Sequence, residues 1–267
     1  MQSEQVLKQL ADELWQAEHT GVPVEPLTKR YDGLEIDDAY AIQSLNIDRH
    51  LAAGARVCGR KVGLTSVPMQ EMLGVSEPDY GVLLDHMFVE DGDEVPLGRL
   101  LQPRIEAELA FVMEQDLEGP GVTAARALPA IAGALPAFEI VDSRVADWQI
   151  KLIDTVADNA SSGLLVVGGN LRKVTDIDLR LIGVAVSRHG ELADTGAGAA
   201  VLGNPARCVA WLANKLASFG AGLKAGDIVL PGAVHRMINV APGDVFQAEF
   251  AHLGTVTARF AGNEDTP

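Results

Sequence analysis

The sequence predicts an α+β fold in which a helical N-terminal segment leads into a body dominated by strands. Three observations predict it. Apolar residues recur at helical spacing mainly at the start of the chain. Short apolar runs bounded by Gly, Pro, Asn and Asp fill most of the remainder. These strand-like runs outnumber the helices and do not alternate with them, as a doubly wound parallel sheet would require. At 267 residues the chain can bury one large core. It reads as a single domain, with residues 1–55 a helical segment, 56–262 the strand-rich body and 263–267 a tail.

Taken in order, Val6, Leu7, Leu10, Leu14 and Trp15 share one face of a helix over 5–18, ended by His19-Thr20-Gly21. A Pro-containing connector follows, and Ile36, Tyr40, Ile47 and Leu51 mark a second helix stopped at Gly54. Residues 57–65 read as a strand whose glycines let other backbone or a ligand come close. Residues 68–73 form a short helix with Gly74 as its stop, 75–81 a loop of turn formers, and Asp91-Gly92-Asp93 a polar turn. Strands follow at 102–113 and 135–142, separated by a Gly119-Pro120-Gly121 loop and a helix over roughly 124–133 with Thr123 as its N-cap. Residues 154–163 are dense in short hydrogen-bonding side chains and run into an apolar strand at 164–169, a position where loops on a rigid scaffold hold ligands. A strand at 181–187, a turn at His189-Gly190, and a helix capped by Asn204 with Pro205 at its first position come next. Strands at 226–232, 243–250 and 254–260 complete the body.

Chemistry concentrates in the strand at 102–113. Period-two alternation turns Glu106 and Glu108 to one face and Ile105, Ala107, Leu109 and Phe111 to the other. Their Cα atoms lie about 6.6 Å apart, close enough for two Glu side chains to close on one cation. One reading is an edge strand whose glutamates face water beside Arg104. The other is a divalent-metal site, because Ala110 and Val112 continue the same face and a buried carboxylate costs several kcal/mol unless it is paired. A third glutamate, Glu139, stands among large apolar residues in the strand at 135–142, and an all-oxygen trio suits Mg²⁺ or Mn²⁺ better than Zn²⁺. Lys61 is either an exposed strand lysine or a site residue, and Asp79 a turn former or a site residue; periodicity leaves both open.

Twenty-one basic against 37 acidic side chains give a net charge of −16, which argues against nucleic acid or an anionic membrane as partner. The two cysteines, Cys58 and Cys208, are far apart in apolar settings and read as reduced core residues. The first residues lack a signal-peptide pattern and no apolar run reaches about 18 residues, so a soluble cytoplasmic protein is expected.

Several ordered motifs resemble one family. They are Gly59-Arg60-Lys61-Val62-Gly63-Leu64-Thr65, the run from Leu73-Gly74-Val75 through Pro78-Asp79-Tyr80-Gly81, residues 102–112, Glu139 through Arg144, and Asp147-Trp148 into 154–162. Together they resemble the bacterial 2-hydroxypenta-2,4-dienoate (2-keto-4-pentenoate) hydratases of aromatic meta-cleavage catabolism, within the fumarylacetoacetate hydrolase-like superfamily. The resemblance implies a mixed β-roll with peripheral helices and a Mg²⁺ or Mn²⁺ held by Glu106, Glu108 and Glu139. It implies further that Lys61 and Asp79 are the acid/base pair, without assigning which is which, and that Asn159, Ser161 and Ser162 orient the substrate. The implied reaction adds water to the dienol to give 4-hydroxy-2-oxopentanoate. Sister 4-oxalocrotonate decarboxylases are similar throughout but tend to carry an apolar residue where Asp79 stands and to lack Asp147-Trp148, so the chain sides with the hydratases. The alternatives are such a decarboxylase, a related 2-oxo-dienoate hydratase, or a silent subunit stabilising a partner enzyme. The resemblance also implies a homo-oligomer able to associate with a sister decarboxylase. One departure is Val234-His235-Arg236-Met237, where smaller or apolar residues are expected.

Overall fold

Ser3 accepts a hydrogen bond from the Val6 amide and starts helix α1 (Glu4–Thr20), which Gly21 closes in the left-handed conformation at φ 69°. In the computed structural model, which describes residues 2–66, 70–71 and 75–262, five further helices follow. They are α2 (Leu27–Arg30), α3 (Ile36–Ala52), α4 (Ala124–Ala127), α5 (Leu152–Ala157) and α6 (Ala206–Ala217). Leu10, Ala11 and Leu14 of α1 are buried, and the helix packs on α3, which in turn packs on α5. The N-terminal helices therefore brace the segment that carries 158–162. The short helix expected at 68–73, its stop at Gly74 and the tail at 263–267 fall largely or wholly outside the described residues.

The strands are β1 (Val57–Gly63), β2 (Asp79–Leu84), β3 (Phe88–Glu90), β4 (Glu94–Val95), β5 (Arg104–Met113), β6 (Ile131–Val141) and β7 (Ser162–Val167) in the first part of the chain. β8 (Gly183–Arg188), β9 (Glu191–Ala197), β10 (Ile228–Leu230), β11 (Ile238–Asn239), β12 (Val245–Phe250) and β13 (Gly254–Phe260) complete the set. Among the described residues they form an eight-stranded sheet in the order β2-β1-β10-β5-β6-β7-β3, with β11 also on β5, and a five-stranded sheet in the order β4-β13-β12-β8-β9. Both sheets mix parallel and antiparallel neighbours, and β12 and β13 pack on β6, joining the two. The architecture is α+β, a curled mixed sheet with helices outside it. No described helix is long and apolar enough to cross a membrane.

β5 and β6 form the spine. They pair antiparallel along the whole of β5, and Ile105, Ala107, Leu109, Phe111, Phe138 and Ile140 are fully buried. β5 is thus central, flanked by β6 on one side and β10 and β11 on the other, which removes the edge-strand reading of its glutamates.

Four local expectations change. The helix predicted over 124–133 stops after one turn and a 3-10 segment, because Ile131 to Gly133 are drawn into β6, where sheet pairing outweighs helical propensity. The loop predicted over 75–81 ends early: Asp79 opens β2 and pairs with Gly63 of β1. The hairpin partner β9 was not expected, since apart from Leu192 its sequence carries no large apolar residue and none of it is buried. Of the two cysteines only Cys208 is in the core; Cys58 lies half-buried on β1.

Gly81 shows how closely the 158–162 loop rests on β2. A Cβ there would sit 2.4 Å from the Asn159 carbonyl oxygen and 2.8 Å from Ser162 Oγ. Gly81→Ala should therefore cost about 1–3 kcal/mol through overpacking. Urea unfolding checks this, and an unchanged midpoint would mean the loop does not close on β2.

Candidate active site

The antiparallel register of β5 and β6 places Glu106 directly opposite Glu139, and Glu108 follows on the same face. One carboxylate oxygen from each of the three lies within 4.8 Å of the others. Glu108 and Glu139 are buried, whereas Glu106 keeps some exposure at the mouth. Burial pushes the Glu106 carboxyl up to about 8, with Glu139 adding and Lys61 and Arg104 opposing. Burial does the same to Glu108, helped by Glu139 and Glu106, and holds it well above the usual carboxylate range. Glu139 Oε1 is buried without a hydrogen-bond partner. Three converging oxygen donors, one of them without a hydrogen bond, fit a hard divalent cation.

Lys61 and Asp79 reach the same place from the neighbouring strands. Lys61 Nζ lies 3.2 Å from Glu139 Oε1, an ion-pair contact whose angle falls short of a hydrogen bond, and donates to the Ala160 carbonyl at 2.9 Å. Burial works to lower the Lys61 pKa, but Glu139, Asp79, Glu106 and Glu108 outweigh it and hold the ammonium above its usual value. Asp79 is buried beside Gly63, where a Cβ would meet its Oδ1 at 2.2 Å, so only glycine lets this carboxyl lie there. Asp79 Oδ1 also has no hydrogen-bond partner. Burial raises its pKa, Glu139 adds to the rise, and Lys61 together with the backbone amides of Gly63 and Asp79 counteracts in part.

The polar side chains of the segment after α5 are hydrogen-bonded within the fold. Asn159, Ala160 and Ser161 all have positive φ, at 51°, 51° and 53°, a conformation costing of order 1 kcal/mol or more for each non-glycine residue. Buried contacts hold them there. Asn159 spends both ends of its amide on Val82, accepting from its amide at 2.7 Å and donating to its carbonyl at 2.9 Å. Ser161 Oγ is 3.2 Å from Thr155 Oγ1, and Ser162 Oγ donates to the Asn159 carbonyl at 2.8 Å. Arg144 clamps the whole turn through Asp158 and the Ser162 carbonyl. Asn159 and Ser162 line a cavity of about 280 Å³ with Glu18, His50, Arg144 and Asp158, and none of the three glutamates lines it. The part of this segment seen touching the charged cluster is the backbone carbonyl of Ala160.

Asp147-Trp148 docks at the start of β5. The Asp147 amide donates to Gln102 Oε1 at 2.8 Å, the indole N–H donates to the Gln102 carbonyl at 3.0 Å, and the Arg104 guanidinium lies 4.4 Å from the Trp148 ring centre. Arg104, two residues before Glu106 on the same face, is held at the mouth as a cation that sequence reading considered only as a surface ion-pair partner. Its signal was the i, i+2 spacing. The Arg144–Asp158 pair was also missed as a site-building element, and the close approach foreseen at the glycines of 57–65 is filled at Gly63 by the Asp79 carboxyl, because these pairings arise only when distant strands meet.

The raised carboxyl pKa values set a pH dependence. Glu106 titrates near 8, so at neutral pH the cation-free cluster holds a proton that a divalent cation must displace. Affinity should rise as pH increases toward about 8 and level off above it, with proton release visible by calorimetry in two buffers of different ionisation enthalpy. The sign for stability is opposite. A folded-state pKa above the ordinary 4.5 favours the folded form below that value, and the contribution is lost as pH rises through about 8. The cation-free protein should melt lower at about pH 9 than at about pH 6, with the greater rescue by Mg²⁺ at the higher pH. A flat affinity across that range would contradict the assignment.

Residues 45–261 match the model of the fumarylacetoacetate hydrolase C-terminal family. The chain is 46% identical over 257 residues to a 2-keto-4-pentenoate hydratase of Paraburkholderia xenovorans, covering 96% of each chain. It is 49% identical over 216 residues to a 2-hydroxypent-2,4-dienoate hydratase of Pseudomonas putida, covering 80% of this chain and 97% of that one. Among solved structures, the 4-oxalocrotonate decarboxylase of Pseudomonas putida G7, complexed with magnesium and adipate, superposes with a TM-score of 0.94 at 37% identity, over 97% of this chain and 99% of that one. The chain belongs to the fumarylacetoacetate hydrolase C-terminal family.

Proposed function

We propose that this protein is a divalent-cation-dependent hydratase that adds water to 2-hydroxypenta-2,4-dienoate to give 4-hydroxy-2-oxopentanoate. The observation that carries the reading is the convergence of Glu106, Glu108 and Glu139 beside an Asp79 carboxyl whose Oδ1 is buried without a hydrogen bond and a fixed Lys61 ammonium. The hydratase names of relatives matching nearly the whole chain support it. Glu106, Glu108 and Glu139 would hold Mg²⁺ or Mn²⁺, which suit oxygen donors. Such an ion supplies Lewis-acid stabilisation of the charge that develops on a 2-oxo acid as its enol ionises.

The protein's own groups divide the remaining work. Hydration removes a proton from the 2-hydroxyl and places one on C5; water then loses a proton as its oxygen bonds to C4, and C3 gains one. These movements need a group able to gain and lose a proton, and Asp79 has both a raised pKa and a free oxygen. Lys61 is held on Glu139 and Ala160 and stays protonated, so it serves as a fixed positive charge and not as a base. Arg104 on its Trp148 support adds a second cation for an anionic substrate entering the mouth. Closing the 158–162 turn on β2 shields the cluster from water.

The TM-score of 0.94 to a decarboxylase supports a second reading, decarboxylation of a vinylogous 2-oxo acid on the same cluster. Ultraviolet loss of the dienol, with the product identified by mass, separates the two: a gain of water supports hydration and a loss of carbon dioxide sinks it. Two variants test the division of labour. Glu106→Gln should remain folded and lose cation affinity, and activity should vanish with EDTA; full turnover in metal-free buffer would sink the metal reading. Asp79→Asn should keep cation affinity and lower the hydration rate by about 10²-fold or more. A rate close to the parent's would leave Asp79 as a strand-opening residue only.

A further inference from the structure

We propose that His235 is a positioning residue that holds the Glu106–Glu108 stretch of β5 in place by accepting the amide hydrogen of Ala107. The proposal rests on the reading of Glu106 and Glu108 as cation ligands. β5 pairs with β6 without a gap, but its other side is covered only at its ends, by β11 at Arg104 and Ile105 and by β10 at Phe111 and Val112. Between these ends the chain at 231–237 leaves the strand path. The central residues of β5, the ones carrying the glutamates, lack a regular partner strand on that side.

Ala107, between the two glutamates, turns its backbone toward this gap. Its carbonyl accepts from the Val234 amide at 3.2 Å, and its amide donates to His235 Nε2 at 2.7 Å. On the other side of the ring, Nδ1 lies 2.7 Å from the Arg236 carbonyl, which can only accept. One protonation state satisfies both contacts: the neutral imidazole with its hydrogen on Nδ1 and its lone pair on Nε2. Burial pushes the His235 pKa down, in keeping with a neutral ring; the nearest carboxylate, Asp194, is 3.9 Å from Nδ1. The same segment reaches a glutamate directly, since the Gly232 amide donates to Glu108 Oε2 at 2.8 Å. Three contacts from one loop thus grip β5 at consecutive points where no strand does so.

The mechanical consequence follows from strand geometry. Glu106 and Glu108 flank Ala107, so a shift of the Ala107 peptide moves both carboxylates relative to Glu139. Buried donors left without acceptors drive such shifts. Partners that orient metal ligands from outside the coordination sphere characteristically change affinity by about 10- to 100-fold. This gives a physical reason for a histidine where smaller or apolar residues were expected: its ring carries an acceptor across a gap that backbone does not fill.

Two variants separate the acceptor from the bulk of the ring. His235→Gln can place an amide oxygen near the site of Nε2, and His235→Leu fills similar space without an acceptor. Mg²⁺ affinity should fall by about tenfold or more in His235→Leu and stay within about threefold of the parent in His235→Gln. In the metal-free protein, hydrogen exchange at the Ala107 amide should be at least about tenfold faster in the Leu variant alone. Equal behaviour of His235→Leu and the parent would overturn the proposal, as would a Gln variant as impaired as the Leu variant. If His235→Leu fails to fold, ¹⁵N spectra of histidine-labelled parent protein decide instead, with an Nδ1–H tautomer at His235 expected and an Nε2–H tautomer overturning the proposal. If the parent binds no Mg²⁺, the metal reading of the cluster fails, while the exchange and tautomer measurements still decide the role of His235.

Discussion

Four carboxylates and one ammonium gathered in a space largely closed to water are the constraint around which this fold is arranged. Glu106, Glu108, Glu139 and Asp79 face Lys61 across β5, β6, β2 and β1. One cation cannot neutralise four buried anions, and burying an unpaired carboxylate costs several kcal/mol. The strain shows as Glu106, Glu108 and Asp79 carboxyls pushed above their ordinary values by burial and by one or more neighbouring carboxylates. A divalent cation removes the same excess without protons. The feature that makes the site costly to build is therefore the feature that makes it useful.

Much of the surrounding structure can be understood as the means of tolerating that cost. The β5–β6 spine fixes three carboxylates by register, leaving little freedom to relax apart. Arg144, buried and clamped to Asp158 and Ser162, holds three consecutive positive-φ residues whose conformation would otherwise relax. Their side chains are consumed in keeping the turn closed, so the turn offers the cluster a carbonyl at Ala160 instead of side-chain donors. The consequence is a division of roles between two residues of the same cluster. Lys61 is tethered at both contacts, while Asp79 keeps an oxygen unpartnered.

A close superposition on a decarboxylase beside higher sequence identity to hydratases places the chain on a scaffold that serves more than one reaction. Stabilising an enolate would serve both reactions, through a cation that Glu106, Glu108 and Glu139 would hold. The groups that deliver protons, and the shape of the mouth near Arg104 and Trp148, are where such enzymes can diverge.

The sequence by itself determined what depends on neighbours along the chain. Period-two alternation put Glu106 and Glu108 on one face, helical spacing and the stops at Gly21 and Gly54 bounded the first two long helices to within a few residues, and the ordered motifs identified the family. The tertiary structure alone decided the pairings. Asp79 became a strand residue because Gly63 offered it a partner strand, residues 131–133 left a helix for β6, and β5 became central because β10 and β11 return from the far end of the chain. Asn159, Ser161 and Ser162 found hydrogen-bond partners in Val82, Thr155 and each other, pairings that no spacing along the chain specifies. The bond between His235 and Ala107 spans 128 residues of sequence. Side-chain periodicity is a local property of backbone geometry, whereas the partner of a buried polar group depends on which distant segments the closing core brings into register.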